Sequence, residues 1–214
     1  MLLSLLLAAP ALASDGIATN GLLTDTEFLR LLICGATPDG PCQRDAVKWG
    51  NPRALTLAYG PVPAGYDPAT AARISAAVDA AIASINAAGS AIHITRVDHT
   101  HARHITLRPT LFSENDTVSG EPGMPDGEQI GAGYVHVSWD DNQRLTEATI
   151  LIAQDINDWD INSIVLEEIT QSLGFLYDIE NPAYENVSIF AQDSNSVLSI
   201  TGQDAAAMRL YYPN

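Results

Sequence analysis

Asp67-Pro68 begins a stretch that leaves the fold little freedom. Aspartate is a strong N-cap, and proline suits the first helical position, where its missing N–H would go unpaired anyway. Ile74, Val78, Ile82 and Ile85 then fall at i, i+4, i+8 and i+11, drawing one apolar stripe that ends near Gly89. A long helix with a single apolar face needs an apolar surface to lie on, and the flanking segments supply one. Residues 53–59, 91–97, 104–108, 134–139 and 148–153 read as strands, alternating or uniformly apolar. The pair 91–97 and 104–108 is joined by a short polar turn and reads as a hairpin. Residues 113–133, rich in Gly, Pro, Asp and Glu, read as a long surface loop.

Three further helices are expected. Residues 20–32 carry Leu22, Leu23, Phe28, Leu29, Leu31 and Leu32 at helical spacing, and 160–173 places Ile164, Val165, Ile169 and Leu173 toward a core. Thr201-Gly-Gln-Asp204 looks like a capping box with Asp in the Glu position, opening a helix through Leu210. The element order predicts an α/β sandwich with a mixed sheet. With 214 residues, 46% hydrophobic and 17% charged, the chain suits one domain with a sizeable core.

Chemistry concentrates in Ile164-Val-Leu-Glu-Glu-Ile-Thr-Gln-Ser-Leu-Gly-Phe-Leu-Tyr-Asp178. Glu167 and Gln171, four apart, share a helix face; Glu168 lies beside them, and Gly174 falls where a helix ends in a left-handed residue. Zinc peptidases of the zincin class hold their metal with two histidines at this spacing, and the Glu after the first polarises the bound water. The extended metzincin pattern H-E-x-x-H-x-x-G-x-x-H overlies Glu167-Glu168-x-x-Gln171-x-x-Gly174-x-x-Tyr177. Glu168 and Gly174 match it, while Glu167, Gln171 and Tyr177 replace all three histidines.

Ser188-Ile189-Phe190 resembles the Ser-Ile-Met turn of matrixins, with Phe190 for Met. Residues 149–152 with Asp155 resemble the strand and loop ahead of the matrixin active-site helix, and 198–212 resembles its C-terminal helix. The Glu-Glu-x-x-Gln helix, the following Tyr177-Asp178 and Lys48-Trp49-x-x-Pro52 also resemble an uncharacterised bacterial family, domain of unknown function 2927. These resemblances imply a zincin-like fold: a mixed twisted sheet, an active-site helix and a C-terminal helix. They further imply a positive φ at Gly174 and a place for Phe190 under the cleft floor. The second family brings no established activity.

The matrixin metal site cannot be rebuilt from these residues. It needs three neutral imidazoles and an open fourth position, and no histidine follows His136. Oxygen donors from Glu167, Gln171 and Asp178 would suit a harder ion such as calcium, bound weakly. Adjacent carboxylates would share a proton, raising one pKa. The plain alternative is that Glu167, Glu168 and Gln171 form a solvated helix face. His99, His101 and His104 make a second cluster, open to a metal or to the ordinary role of turn histidines.

Two functional readings follow. In the first, a non-catalytic pseudo-peptidase binds peptide or protein along a sheet edge beside the helix. In the second, a divergent metal-dependent hydrolase uses Glu168 as general base, with zinc or calcium held by Glu167, Gln171, Asp178 and an upstream His. No G-x-S-x-G elbow or phosphate-cradling Gly-rich loop supports another enzyme class.

The net charge of −16 argues against a nucleic-acid partner. Residues 1–13 read as a secretory signal ending Ala11-Leu12-Ala13; the apolar run is far shorter than the roughly 20 residues that span a bilayer. In an exported chain, periplasmic or extracellular, Cys34 and Cys42 form a local disulfide. The expected division is therefore a signal over 1–13, an extension with the disulfide over 14–48, and a zincin-like domain over 49–214.

Overall fold

The computed structural model describes residues 16–214, so the expected signal segment lies outside the described residues. In chain order the elements are β1 (Gly16–Ala18), α1 (Asp25–Cys34), β2 (Lys48–Trp49), β3 (Leu55–Tyr59), α2 (Pro68–Ala87) and β4 (Ile94–Val97). There follow β5 (Ile105–Pro109), β6 (Gly133–Trp139), β7 (Arg144–Ile152), α3 (Ile161–Gln171), β8 (Asp178–Glu180) and α4 (Gly202–Tyr211).

Asp67 caps α2 as its sequence requires, its carboxylate accepting from the N–H and O–H of Thr70 at 2.7 Å each. The stripe Ile74, Val78, Ile82 and Ile85 is buried. Strands β4, β3, β5 and β7 lie side by side and parallel, and β6 closes the far side of β7 antiparallel. Residues 148–153 are buried throughout, which explains their apolar run: a strand covered on both faces has no solvent side to mark with polar residues. Strand β2 runs parallel to the start of β7, pairing Lys48 with Arg144 and Trp49 with Leu145. The mixed sheet, α3 and the C-terminal helix α4 are the elements that the fold expectation named.

Two expectations fail for instructive reasons. Strands β4 and β5 are not a hairpin, because β3 lies between them and all three run parallel. The polar link 98–104 crosses back instead of reversing the chain, and His104 anchors it. His104 N–H donates to Thr56 O, and His104 Nδ1 accepts from Thr56 N–H, both at 3.0 Å. The capping box at Thr201 does not form either; Thr201 makes no side-chain cap bond. Asp204 is drawn away by stronger partners, accepting from Ser188 O–H at 2.7 Å and Ile189 N–H at 2.9 Å. A true capping box stands at α1, where Thr24 and Glu27 satisfy each other's backbone N–H groups.

Helix α1 shares the main core. Phe28 stacks on Tyr184 with ring centroids 5.1 Å apart and meets Phe190 edge-on at 6.4 Å. Strand β1 pairs in parallel with β8, setting Gly16 opposite Asp178. The Cys34–Cys42 disulfide is present and closes the loop after α1. Among the described residues, no helix is long and apolar enough to cross a membrane.

Candidate functional site

Helix α3 is buried around most of its circumference, Glu168 lying on the same face as Ile161, Ile164 and Val165, and only Asn162, Glu167 and Gln171 reach outward. Its C-terminal end is clamped. Thr170 and Ser172 hydroxyls donate to Leu166 O and Ile169 O at 2.6 Å, and the Trp49 indole N–H donates to Ser172 O at 3.0 Å. Gly174 then turns the chain with φ 99°. Any Cβ there would run into the Val47 carbonyl, so both the conformation and the close approach require glycine.

Four polar side chains gather on this helix and its exit. Glu168 and Asp178 are buried, Glu167 and Gln171 half-buried. The Gln171 amide donates to Asp178 Oδ1 at 2.8 Å. Burial, then the charge of Asp178, then that of Glu168 holds the Glu167 carboxyl well above the usual carboxylate range. The charges of Asp178 and Glu168 thus act on Glu167 in the same direction as its burial. The Glu168 carboxylate lies against the backbone of Gly133, the first residue of β6, and a Cβ at Gly133 would sit on it. The helix acid and the edge strand therefore meet so closely that any side chain at residue 133 would have to displace Glu168.

Tyr177, which overlies the third metzincin histidine, packs its ring against Gly35 in the disulfide loop, and its N–H donates to Leu32 O at 3.2 Å. Ser188 hydrogen-bonds Asp204, Ile189 is buried, and Phe190 is buried beside Phe175 with ring centroids 5.6 Å apart. The Phe190 carbonyl accepts from Ile179 N–H at 2.8 Å, directly after Asp178. Burial pushes the Asp204 carboxyl up to about 6, against the lowering effect of its bonds from Ser188 and Ile189.

The histidines stand apart. His99 and His101 are exposed in the link after β4, and they do not share a strand face. His104 serves Thr56 and meets the Trp49 ring edge-on at 5.5 Å. His136 lies in β6 opposite Thr149, beside a shallow groove of about 270 Å³ lined by residues 136–139.

Residues 47–214 match the family described as Protein of unknown function (DUF2927). The chain belongs to that family. No curated protein matches it. Among solved structures, myroilysin is similar at 15% identity, covering 78% of this chain and 96% of that one with a TM-score of 0.39. A likeness of that size carries no inference about chemistry.

In this DUF2927 member the residues do not fit the zinc of a metallopeptidase. Imidazole is missing at every ligand position, the Tyr177 ring is committed to the disulfide loop, and the Gln171 amide N–H₂ is turned to Asp178. Among the described residues, no three His, Cys, Asp or Glu side chains are grouped to hold a metal ion. What this arrangement offers is a group of buried and half-buried acids at the head of an edge strand. Sequence reading missed Gly133, whose role depends on a contact across the fold, and Asp204, whose spacing resembled a helix cap.

Proposed function

We propose that this domain is an exported peptide-binding protein that receives an extended peptide or protein segment as an added strand on the outer edge of β6, without cleaving it. One observation carries the reading: β6 offers its free edge beside the Glu168 carboxylate. Ala153 N–H donates to Ala132 O, and Ala148 N–H donates toward β5, to His104 O. Hydrogen bonding alternates along an antiparallel pair, so Gly133, Val135 and Val137 turn their N–H and C=O groups away from β7. Among the described residues, β6 pairs with β7 alone. An extended segment would bond to these groups, with side chains reaching the groove at 136–139 and the acids at Glu167, Glu168 and Asp178. The Cys34–Cys42 disulfide supports the export reading, because such bonds persist in oxidising compartments.

The test uses peptides selected from a displayed random library against the purified protein, mapped by amide chemical-shift changes. Shifts should centre on residues 133–139, and Val135→Pro should weaken binding about 100-fold while the thermal midpoint stays within a few degrees. Peptides that map elsewhere, or bind Val135→Pro unchanged, overturn the reading. Cleavage of a bound peptide that is lost both with chelator and in Glu168→Gln would establish the hydrolase instead.

A further inference from the structure

A second cavity, of about 570 Å³, lies where β2, the start of β7 and the end of α4 meet. Its size is that of a small-molecule site. Lys48, Arg144, Asn142 and Gln143 line it with Trp49 and Tyr211, and no Asp or Glu does. That is unexpected in a chain with 10 basic and 26 acidic residues.

The two cations are register partners: Lys48 pairs with Arg144 across the parallel β2–β7 ladder, which sets their side chains on one face. Like charges placed opposite one another repel. Of the other eight cations, Arg73, Arg96 and Arg108 sit on carboxylates, Arg30, Arg103 and Arg209 donate to backbone carbonyls and Arg44 lies over the Trp139 ring, while Arg53 is exposed. Among the described residues, neither Lys48 nor Arg144 has a carboxylate within ion-pair distance. The nearby Asp140 carboxylate feels the Arg144 charge, but its hydrogen bonds come from its own turn, the backbone N–H groups of Asn142 and Arg144 at 2.9 and 3.0 Å.

The frame around the cations is rigid. Lys48 N–H donates to Gln143 O at 3.2 Å, and Gln143 holds a left-handed φ of 60°. The Tyr211 hydroxyl donates to Val47 O at 2.9 Å, and Trp49 is fixed through both its N–H groups, to Ser172 O and to the Tyr212 hydroxyl. The Lys48 ammonium lies 5.6 Å from the Tyr211 ring centroid. A ligand here would meet two positive charges, two side-chain amides and the rim of Tyr211.

We infer that this cavity binds an organic carboxylate carrying an apolar body, its charge between Lys48 and Arg144 and its body against Ala46 and the rim of Tyr211. The anion relieves the repulsion between the paired cations, and Arg144 supplies a two-pronged donor for its oxygens. Such a carboxylate can come from a free aromatic acid or from the C-terminus of a peptide.

Calorimetric titration of the purified protein with 2-naphthoate tests this. Saturable binding is expected, with neutral 2-naphthamide about 10-fold weaker or worse, and a similar loss in each of Lys48→Gln and Arg144→Gln. Both side chains are exposed, so the thermal midpoint should not move, and Arg144→Lys should restore part of the affinity. Equal binding of acid and amide, unchanged affinity in Arg144→Gln, or no saturation by 2-naphthoate overturns the inference. Inorganic phosphate binding as tightly as 2-naphthoate also overturns it, since the apolar body would then count for nothing. N-acetyl-Ala-Phe binding more tightly than 2-naphthoate, and more tightly than its own C-terminal amide, identifies a peptide terminus as the source; weaker binding identifies a free acid. Val135→Pro should leave every one of these affinities unchanged, which separates this site from the β6 edge.

Discussion

The two edges of the sheet are treated in opposite ways. At β4 the outward N–H and C=O of Ile94 are both taken by one side chain: Ile94 N–H donates to Asn86 Oδ1 at 2.8 Å, and Asn86 Nδ2 donates to Ile94 O at 2.9 Å. Two positions on, Arg96 reaches back to Ser75 and Asp79 on α2. A side-chain amide thus imitates the next strand and closes the edge. At β6, the longer strand, nothing comparable covers the outward groups of Val135 and Val137 among the described residues. Proteins commonly blunt exposed edges because an open one recruits other chains. The fold caps one edge with a dedicated side chain and, among the described residues, leaves the other uncovered beside the Glu168 carboxylate, which is the contrast on which the proposed peptide-binding reading rests.

The contrast can be broken from either side. Gly133→Ala should have the largest effect, about 3 kcal/mol of stability by denaturant unfolding, because the new methyl displaces the buried Glu168 carboxylate. Adding Glu168→Ala should cost less than the sum of the single changes, as a double-mutant cycle would register.

Titration separates the sides next. Near β4, the Asp98 carboxyl is held low by its bonds from Thr100, so its contribution is present above the ordinary carboxylate pKa and lost on acidification. At the start of α4, Asp204 is raised to about 6 from 3.8 by burial, so its contribution is full below its unfolded pKa and lost as pH rises through about 6. From pH 4 to pH 7, the wild type should therefore lose on the order of 2–3 kcal/mol relative to Asp204→Asn, read from paired denaturation curves.

Asn86→Ala should come third, destabilising by about 2 kcal/mol and opening a second edge, visible as concentration-dependent self-association in light scattering. Arg96→Gln should do least, about 0.5 kcal/mol or below, since its partner Asp79 is largely exposed.

The sequence discloses what neighbouring residues decide. The Asp67 cap, the α2 stripe, the apolar run of β7, the turn glycine at 174 and the short disulfide loop each depend on a few consecutive positions. Strand partnership does not, and 91–97 and 104–108 alternate in the same way whether they pair with each other or flank β3. A Thr-x-x-Asp spacing likewise cannot reveal that Ser188 and Ile189 will compete for the acid. In the candidate site, the helix pattern marked Glu167, Glu168, Gln171 and Asp178. The contact of Gly133 with Glu168 and the pairing of Lys48 with Arg144 appear only once the sheet order is known.

The setting of Trp49 also gives the protein an optical signal of its own. Of the three tryptophans, Trp139 and Trp159 are 43% and 87% exposed, whereas Trp49 is 4% exposed and bonded to the end of α3. A soluble quencher should silence the first two and spare a blue-shifted remainder from Trp49. Loss of that protected emission would report, without any label, that the end of α3 has come away from β2.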